Sequence, residues 1–183
     1  MKILFRTVLP VVAAAFASSA IAAPPAPDGK SPDAVMTTVK DVCLPLLKGT
    51  PIAAVAKTTG LKNGRDGWVL PIAGKRHIEI DPPDGPNPHV CSATVIHAPG
   101  EDDSILKALT GWVASQTPAL QPIKSGEKAT GALYQLTTSS WSGPTAGGVL
   151  GLSYSEDKTL DGKPVAGSLD QATLAISLTP SSS

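Results

Sequence analysis

The stretch Gln171-Ala-Thr-Leu-Ala-Ile-Ser-Leu178 (QATLAISL) decides the fold class: Ala172, Leu174, Ile176 and Leu178 are apolar and occupy every second position. A period of two points all four to one face of a β-strand, because successive strand side chains leave on opposite sides. The same period returns upstream at 149–155, where Leu150, Leu152 and Tyr154 share a side, with Asp161-Gly162 marking a turn between the two strands. Residues 132–141 set Tyr134 and Leu136 among threonines and serines and read as a further strand.

Before these strands the period is 3.6. Ile105, Leu106, Leu109, Trp112 and Val113 form one apolar stripe of a helix headed by Glu101-Asp102-Asp103 and closed by Pro118. Earlier still, the period is again two. Trp68, Leu70 and Ile72 alternate, then Arg76, Ile78 and Ile80 oppose His77, Glu79 and Asp81, and a third strand runs from His89 to His97 with Cys91, Ala93 and Val95 inward. The domain opens with helices. Ser31, Pro32 and Asp33 suit a first turn, and Val35, Met36, Val39, Val42, Cys43, Leu46 and Leu47 form a stripe that Pro45 should kink or shorten. Thr50-Pro51 starts a second helix, which Gly60 caps.

The order reads α-α-β-β-β-α-β-β-β. The expectation is an α+β fold of two layers, an antiparallel sheet with the helices on one face, and a partly closed barrel around the third helix as the alternative. One domain over residues 32–180 is large enough to bury a core.

Residues 1–22 read as an export signal: Lys2 and Arg6, an apolar run from Val8 to Phe16, then Ala20-Ile21-Ala22 as a small-x-small cleavage site. The apolar run is too short to cross a bilayer, so no membrane span is expected after cleavage. Residues 23–31 form a flexible Pro-rich lead-in. Localisation is therefore expected to be periplasmic or secreted. Removing the signal takes two of the 15 basic residues and leaves 13 against 15 acidic ones, a net charge of −2, and it takes both phenylalanines. Such a chain lacks the clustered cations and stacking aromatics that nucleic acid requires.

Cys43 and Cys91 are the only cysteines. In an oxidising compartment an even pair reads first as a disulfide. A redox pair or a metal site would favour C-x-x-C spacing, which is absent.

Each cluster of reactive side chains has a plainer role beside a chemical one. His77, Glu79 and Asp81 point one way from their strand, and His97 on a neighbouring strand could join His77 and Glu79 to hold a metal or do acid–base work; the plainer role is a solvated hairpin face. Asp81, Asp84, Asn87 and His89 lie in or beside the Pro-rich loop, a candidate binding loop whose oxygens could also hold calcium, although it lacks EF-hand spacing and its residues equally serve turns. Glu101-Asp102-Asp103 is sufficiently explained by the helix dipole. Ser104 and Ser155 begin S-x-x-K matches without the companion elements of penicillin-recognising enzymes, and residues 151–155 fail G-x-S-x-G at the last position. Trp68 and Trp112 sit in core patterns, while Trp141, among serines and Gly143, looks free to be exposed.

The segments CLPLLKG, DGWVLPI and PNPHVCSATVIH, spanning roughly 43–97, resemble those of small secreted proteins of Gram-negative bacteria that pair an early cysteine with one after an N-P-x-V-type segment. The resemblance implies export to a periplasm and supports the Cys43–Cys91 bridge, and it implies no activity. The sequence therefore points to a non-catalytic binding or envelope accessory protein without a cofactor, its partner an envelope protein or small ligand. The alternative is a small metal-assisted or acid–base enzyme built on His77, Glu79 and His97.

Overall fold

A computed structural model describes residues 29–64 and 67–181; the export-signal reading at 1–22 and residues 23–28 of the lead-in lie outside them. The chain opens with α1 (Ser31–Thr37), a π-helical segment (Thr38–Cys43) and α2 (Leu44–Leu47), followed by α3 (Ile52–Thr59). Four strands come next: β1 (Lys62–Asn63), β2 (Trp68–Pro71), β3 (His77–Asp81) and β4 (Val90–His97). Then follow α4 (Asp102–Ala114), β5 (Gln121–Thr130), β6 (Tyr134–Thr145), β7 (Gly148–Thr159) and β8 (Asp170–Thr179). No helix among the described residues is long and apolar enough to cross a membrane.

All eight strands join one antiparallel sheet in the order β1-β2-β3-β4-β8-β7-β6-β5. The alternating positions bury one face. Leu70, Ile78, Ile80, Cys91, Ala93, Val95, Ala172, Leu174, Ile176, Leu150, Leu152 and Tyr154 pack with Val35, Val39, Val42, Ile105, Leu109 and Val113 from the helices in one core.

The expected two-layer α+β arrangement is corrected by this architecture. Strand makes up 44% of the described residues and helix 25%, so the fold is dominated by its sheet rather than balanced by a helical layer. The physical reason is β5, which the sequence reading leaves without a strand. Its segment QPIKSGEKAT has no period-two apolar pattern because it is exposed along its whole length. As an edge strand it tolerates Pro122 and two register shifts against β6, between Pro122 and Lys124 and between Lys124 and Glu127. A long β5–β6 hairpin thus extends the sheet. Trp141 is a second correction: it lies opposite Leu152 on the buried side and is 8% exposed.

Pro45 does not end the first helix. The backbone N–H of Leu44 donates to Val39 O, five residues back, so the π-helical turn hands the chain to a fresh α-helical start in which Pro45 needs no N–H. This turn also aims Cys43 at the sheet, where it is bonded to Cys91 with a Cα–Cα distance of 5.5 Å. Replacing both cysteines with alanine removes a closed loop of about 49 residues and should cost about 4 kcal/mol in the chain-entropy description. Urea unfolding under oxidising conditions checks this: a loss below about 1 kcal/mol would show that the bridge adds little to the helix–sheet contact.

Candidate functional site

Strand register builds a polar cluster inside the core face. His97 closes β4 and pairs with Asp170, the first residue of β8. On β7, Tyr154 and Lys158 are four residues apart and share a face, and the ladder that pairs Asp157 with Gln171 brings Lys158 beside Asp170. His97, Asp170 and Lys158 therefore form one row across three adjacent strands. After β4, the chain turns at Gly100, whose φ of +81° suits glycine, and α4 begins. That return sets Asp102, in the first turn of α4, over the row.

The contacts are specific. His97 Nδ1–H donates to Ala98 O at 3.0 Å; a carbonyl only accepts, so this bond fixes the proton on Nδ1 and turns Nε2 inward. Nε2 lies 3.1 Å from Asp102 Oδ1, at ion-pair distance but off the line of a hydrogen bond. Tyr154 donates its hydroxyl to the same Oδ1 at 3.1 Å. Lys158 Nζ bridges the carboxylates, 3.1 Å from Asp102 Oδ2 and 2.6 Å from Asp170 Oδ2. His97 is fully buried, Asp170 nearly so, and Lys158 reaches solvent with 23% of its side chain.

Burial pushes the His97 pKa down, but the Asp102 contact, the Ala98 carbonyl and the charges of Asp102 and Asp170 outweigh it and hold it above the ordinary value. Burial raises Asp102, and His97 and Lys158 overcome that to hold its carboxyl low. Burial and Asp102 push the Tyr154 phenol up, so it stays a donor. Glu156, on the same face of β7, is raised by burial and by Asp102.

Beside this cluster, Glu101 ties three segments together. Its Oε2 accepts from Ser31 Oγ at 2.6 Å and from the Ala98 N–H at 2.9 Å, and its Oε1 meets Arg76 Nη1 at 3.1 Å. Arg76 also donates to Gly29 O. Ser31 thus serves a tertiary contact, since no side chain caps α1. The dipole reading of Glu101-Asp102-Asp103 is incomplete for the same reason: two of the three carboxylates turn inward.

The remaining sequence candidates fall elsewhere. His77 and Glu79 lie on the opposite side of the sheet from His97, because Ile78 pairs with Val95 and both are buried, which sends His77 and Glu79 outward. His77 Nδ1–H donates to Lys75 O, and Nε2 is 3.2 Å from Glu79 Oε1. The register does not bring these two together with His97. Asp81, at the end of β3, accepts from Ser92 Oγ at 3.3 Å. Asp84, Asn87 and His89 occupy an exposed loop folded on itself, with the Asn87 N–H donating to Asp84 O and the Val90 N–H to Asn87 O. Asp102 stands in the sequence only as part of the Glu101-Asp102-Asp103 helix start, and Tyr154, Lys158 and Asp170 are not among the candidate site residues. No spacing could reveal them, since they come from a helix and two strands.

The outward face of the sheet has a different character. Its cross-strand rows read Glu79–Thr94–Thr173–Ser155–Thr138 and Asp81–Ser92–Ala175–Ser153–Ser140. Two shallow depressions lie on it, one of about 380 Å³ including Ser140, Ser142, Gly151, Ser153 and Ser177, the other of about 330 Å³ including Glu79, Asp81, Ser92 and Thr94.

The Glu101 clamp carries a pH dependence. Burial pushes its carboxyl up, but the Ser31 hydroxyl, the Ala98 N–H and Arg76 prevail and hold it below the ordinary glutamate value. A depressed folded pKa contributes stability above the unfolded value that is lost as pH falls through the folded one. Stability of the wild type should therefore drop as pH falls below about 4.5. In Glu101→Gln this acid limb should be shallower, with lower stability at pH 7. Urea midpoints measured from pH 7 to 3 decide it, and parallel profiles for the two proteins would refute the clamp.

Comparison of the chain with protein-family models, with curated proteins and with solved structures gives no match.

Proposed function

We propose that this chain is an exported, non-catalytic binding protein of the cell envelope that docks a partner protein on the outward face of its sheet. The observation that carries the reading is the composition of that face. Its centre is laid out in hydroxyl-bearing and very small side chains: Ser92, Thr94, Ser140, Ser142, Gly151, Ser153, Thr173, Ala175 and Ser177. Charge lies around this centre, with Glu79 and Asp81 on one side, the Lys124–Glu127 ion pair on the other, and Asp157, held by Gln171, towards one end of β7. Small side chains ordered by the ladders lose little rotamer freedom when covered, so binding costs less ordering entropy than it would for long flexible ones.

The face is also kept close to the backbone. At Gly151 a Cβ would come within 2.6 Å of Ser177 Oγ across the ladder, so the glycine leaves a dip there. Ile123, 64% exposed, adds an apolar contact at the rim of the larger depression. The Pro-rich loop opens at the same surface. Pro82 lines the smaller depression and Val90 the larger, so Asp84, Asn87 and His89 would flank a bound partner. Export is supported by the layout of residues 1–22 and agrees with a disulfide-bonded core.

The test places a photo-cross-linking residue at Ser153, with Lys57 on α3 as the control position, in the full chain expressed in its own envelope. A discrete cross-linked species from Ser153 and none from Lys57 is expected, and Ser140→Arg should abolish it while changing stability by less than about 1 kcal/mol. Identical products from both positions, or cross-linking indifferent to Ser140→Arg, would remove the sheet face as the docking surface.

A further inference from the structure

We propose that His97, Asp102 and Asp170 form a binding site for a first-row divalent transition metal of the zinc class, with Lys158 as the protein's own cation in that position. The inference is independent of the sheet-face reading, since the two lie on opposite sides of the sheet. One donor atom from each of the three residues lies within 4.8 Å of the others. Around an ion bonded at about 2.1 Å, donor atoms sit roughly 3.4–4.2 Å apart; with His97 Nε2 and Asp102 Oδ1 at 3.1 Å and no separation above 4.8 Å, the site forms by side-chain shifts of about an ångström.

Three observations point to a cation beyond mere proximity. First, among the described residues the buried side-chain polar atoms without a hydrogen bond are His97 Nε2 and Asp170 Oδ1, and both belong to this cluster. Buried polar atoms are ordinarily satisfied, and two orphan acceptors in one cluster are what an absent cation leaves. Second, the surroundings match those of metal ligands. A ligating imidazole directs its other N–H to a carbonyl or carboxylate, as His97 Nδ1–H does to Ala98 O, leaving the Nε2 lone pair free. Asp102 in turn is held by the Tyr154 hydroxyl. Third, the charges do not balance. With the imidazole neutral, Asp102 and Asp170 bring two carboxylates to a group whose one cation is Lys158.

Lys158 Nζ sits between the two aspartates, where one positive charge satisfies part of this demand. Its partly exposed side chain can withdraw to solvent along β7, and the side chain of Asp102, 13% exposed, marks the way in. A divalent ion bound there would join β4, β8 and α4. Nitrogen with two carboxylate oxygens suits zinc and its neighbours better than calcium, which prefers oxygen donors alone.

Zinc chloride is the probe. Equilibrium dialysis of the full chain at neutral pH, read by elemental mass spectrometry, should show one zinc per chain. The His97→Ala and Asp170→Asn variants should bind none, and His77→Ala should bind as the wild type does. Lys158→Met should bind roughly tenfold more tightly, because an ammonium no longer competes for the carboxylates. A titration of the wild type followed by ¹⁵N NMR of the histidine rings gives a readout that needs no variant to fold: Nε2 of His97 should shift while the His77 and His89 rings stay in place. Absence of bound zinc in the wild type, or binding that leaves His97 Nε2 unmoved, would overturn the proposal.

Discussion

The pairing of β4 with β8 is the constraint on which this structure depends. The sheet order places β1 to β4 on one side and β5 to β8 on the other, and this ladder alone joins the two halves within the sheet. Eight residue pairs, from Val90–Ser177 to His97–Asp170, run without a shift. Because side chains alternate, a slip of one residue would turn Cys91, Ala93, Val95 and His97 to the outward face and bring Ser92 and Thr94 into the core. The register is thus held by hydrophobic burial along its length and by specific bonds near both ends. Cys91 ties one end to the π-helical turn, and the ion contact of His97 with Asp102 ties the other to α4. The two residues are six apart, roughly 20 Å along a strand, so one β-strand fastens two helical segments at well-separated points.

The parts of this architecture visible in the sequence are those where one face is buried. β3, β4 and β8 show period-two apolar spacing because their inward residues meet the core, and the Val35–Val39–Val42 stripe is visible for the corresponding helical reason. β5 is invisible because burial never selects among its positions; its pairing is backbone chemistry alone. Trp141 misleads for a related reason. Its neighbours are small because they form the outward face or a close approach: at Gly143, a Cβ would come within 3.0 Å of Leu120 Cδ2. Serine and glycine therefore signal a tight inner side and a smooth outer side, rather than an exposed tryptophan.

The polar cluster shows a stronger limit. His97 is visible as a histidine at a strand end, but its partners are five residues ahead on a helix and more than fifty residues away on two strands. Each of Asp102, Tyr154, Lys158 and Asp170 has an ordinary local role when read alone: helix start, core aromatic, strand-end lysine, turn aspartate. Their meeting follows from the order β4-β8-β7, and that order cannot be read from hydrophobic period, which fixes a face but not a neighbour. The same holds for Ser31 and Glu101, separated by 70 positions and joined by a 2.6 Å hydrogen bond.

Why a charged group is kept in an otherwise apolar core is a question of energy balance. Removing carboxylates and an ammonium from water costs several kcal/mol per ion, and apolar residues of similar volume often serve stability as well or better. Packing alone therefore gives no reason for two aspartates, a lysine and a histidine at this spot. Their bonds do supply direction that apolar contact lacks: Lys158 fixes β7 against β8, and Asp102 fixes the first turn of α4 over both. Register alone, however, would be met by a fully satisfied network, and this one leaves Nε2 of His97 and Oδ1 of Asp170 without hydrogen bonds. A partly satisfied buried network is costlier than either a complete one or an apolar patch. The excess of carboxylate and the two unpaired atoms share a single remedy, a further positive charge with more than one coordination position, and a proton or a second lysine would supply only part of it.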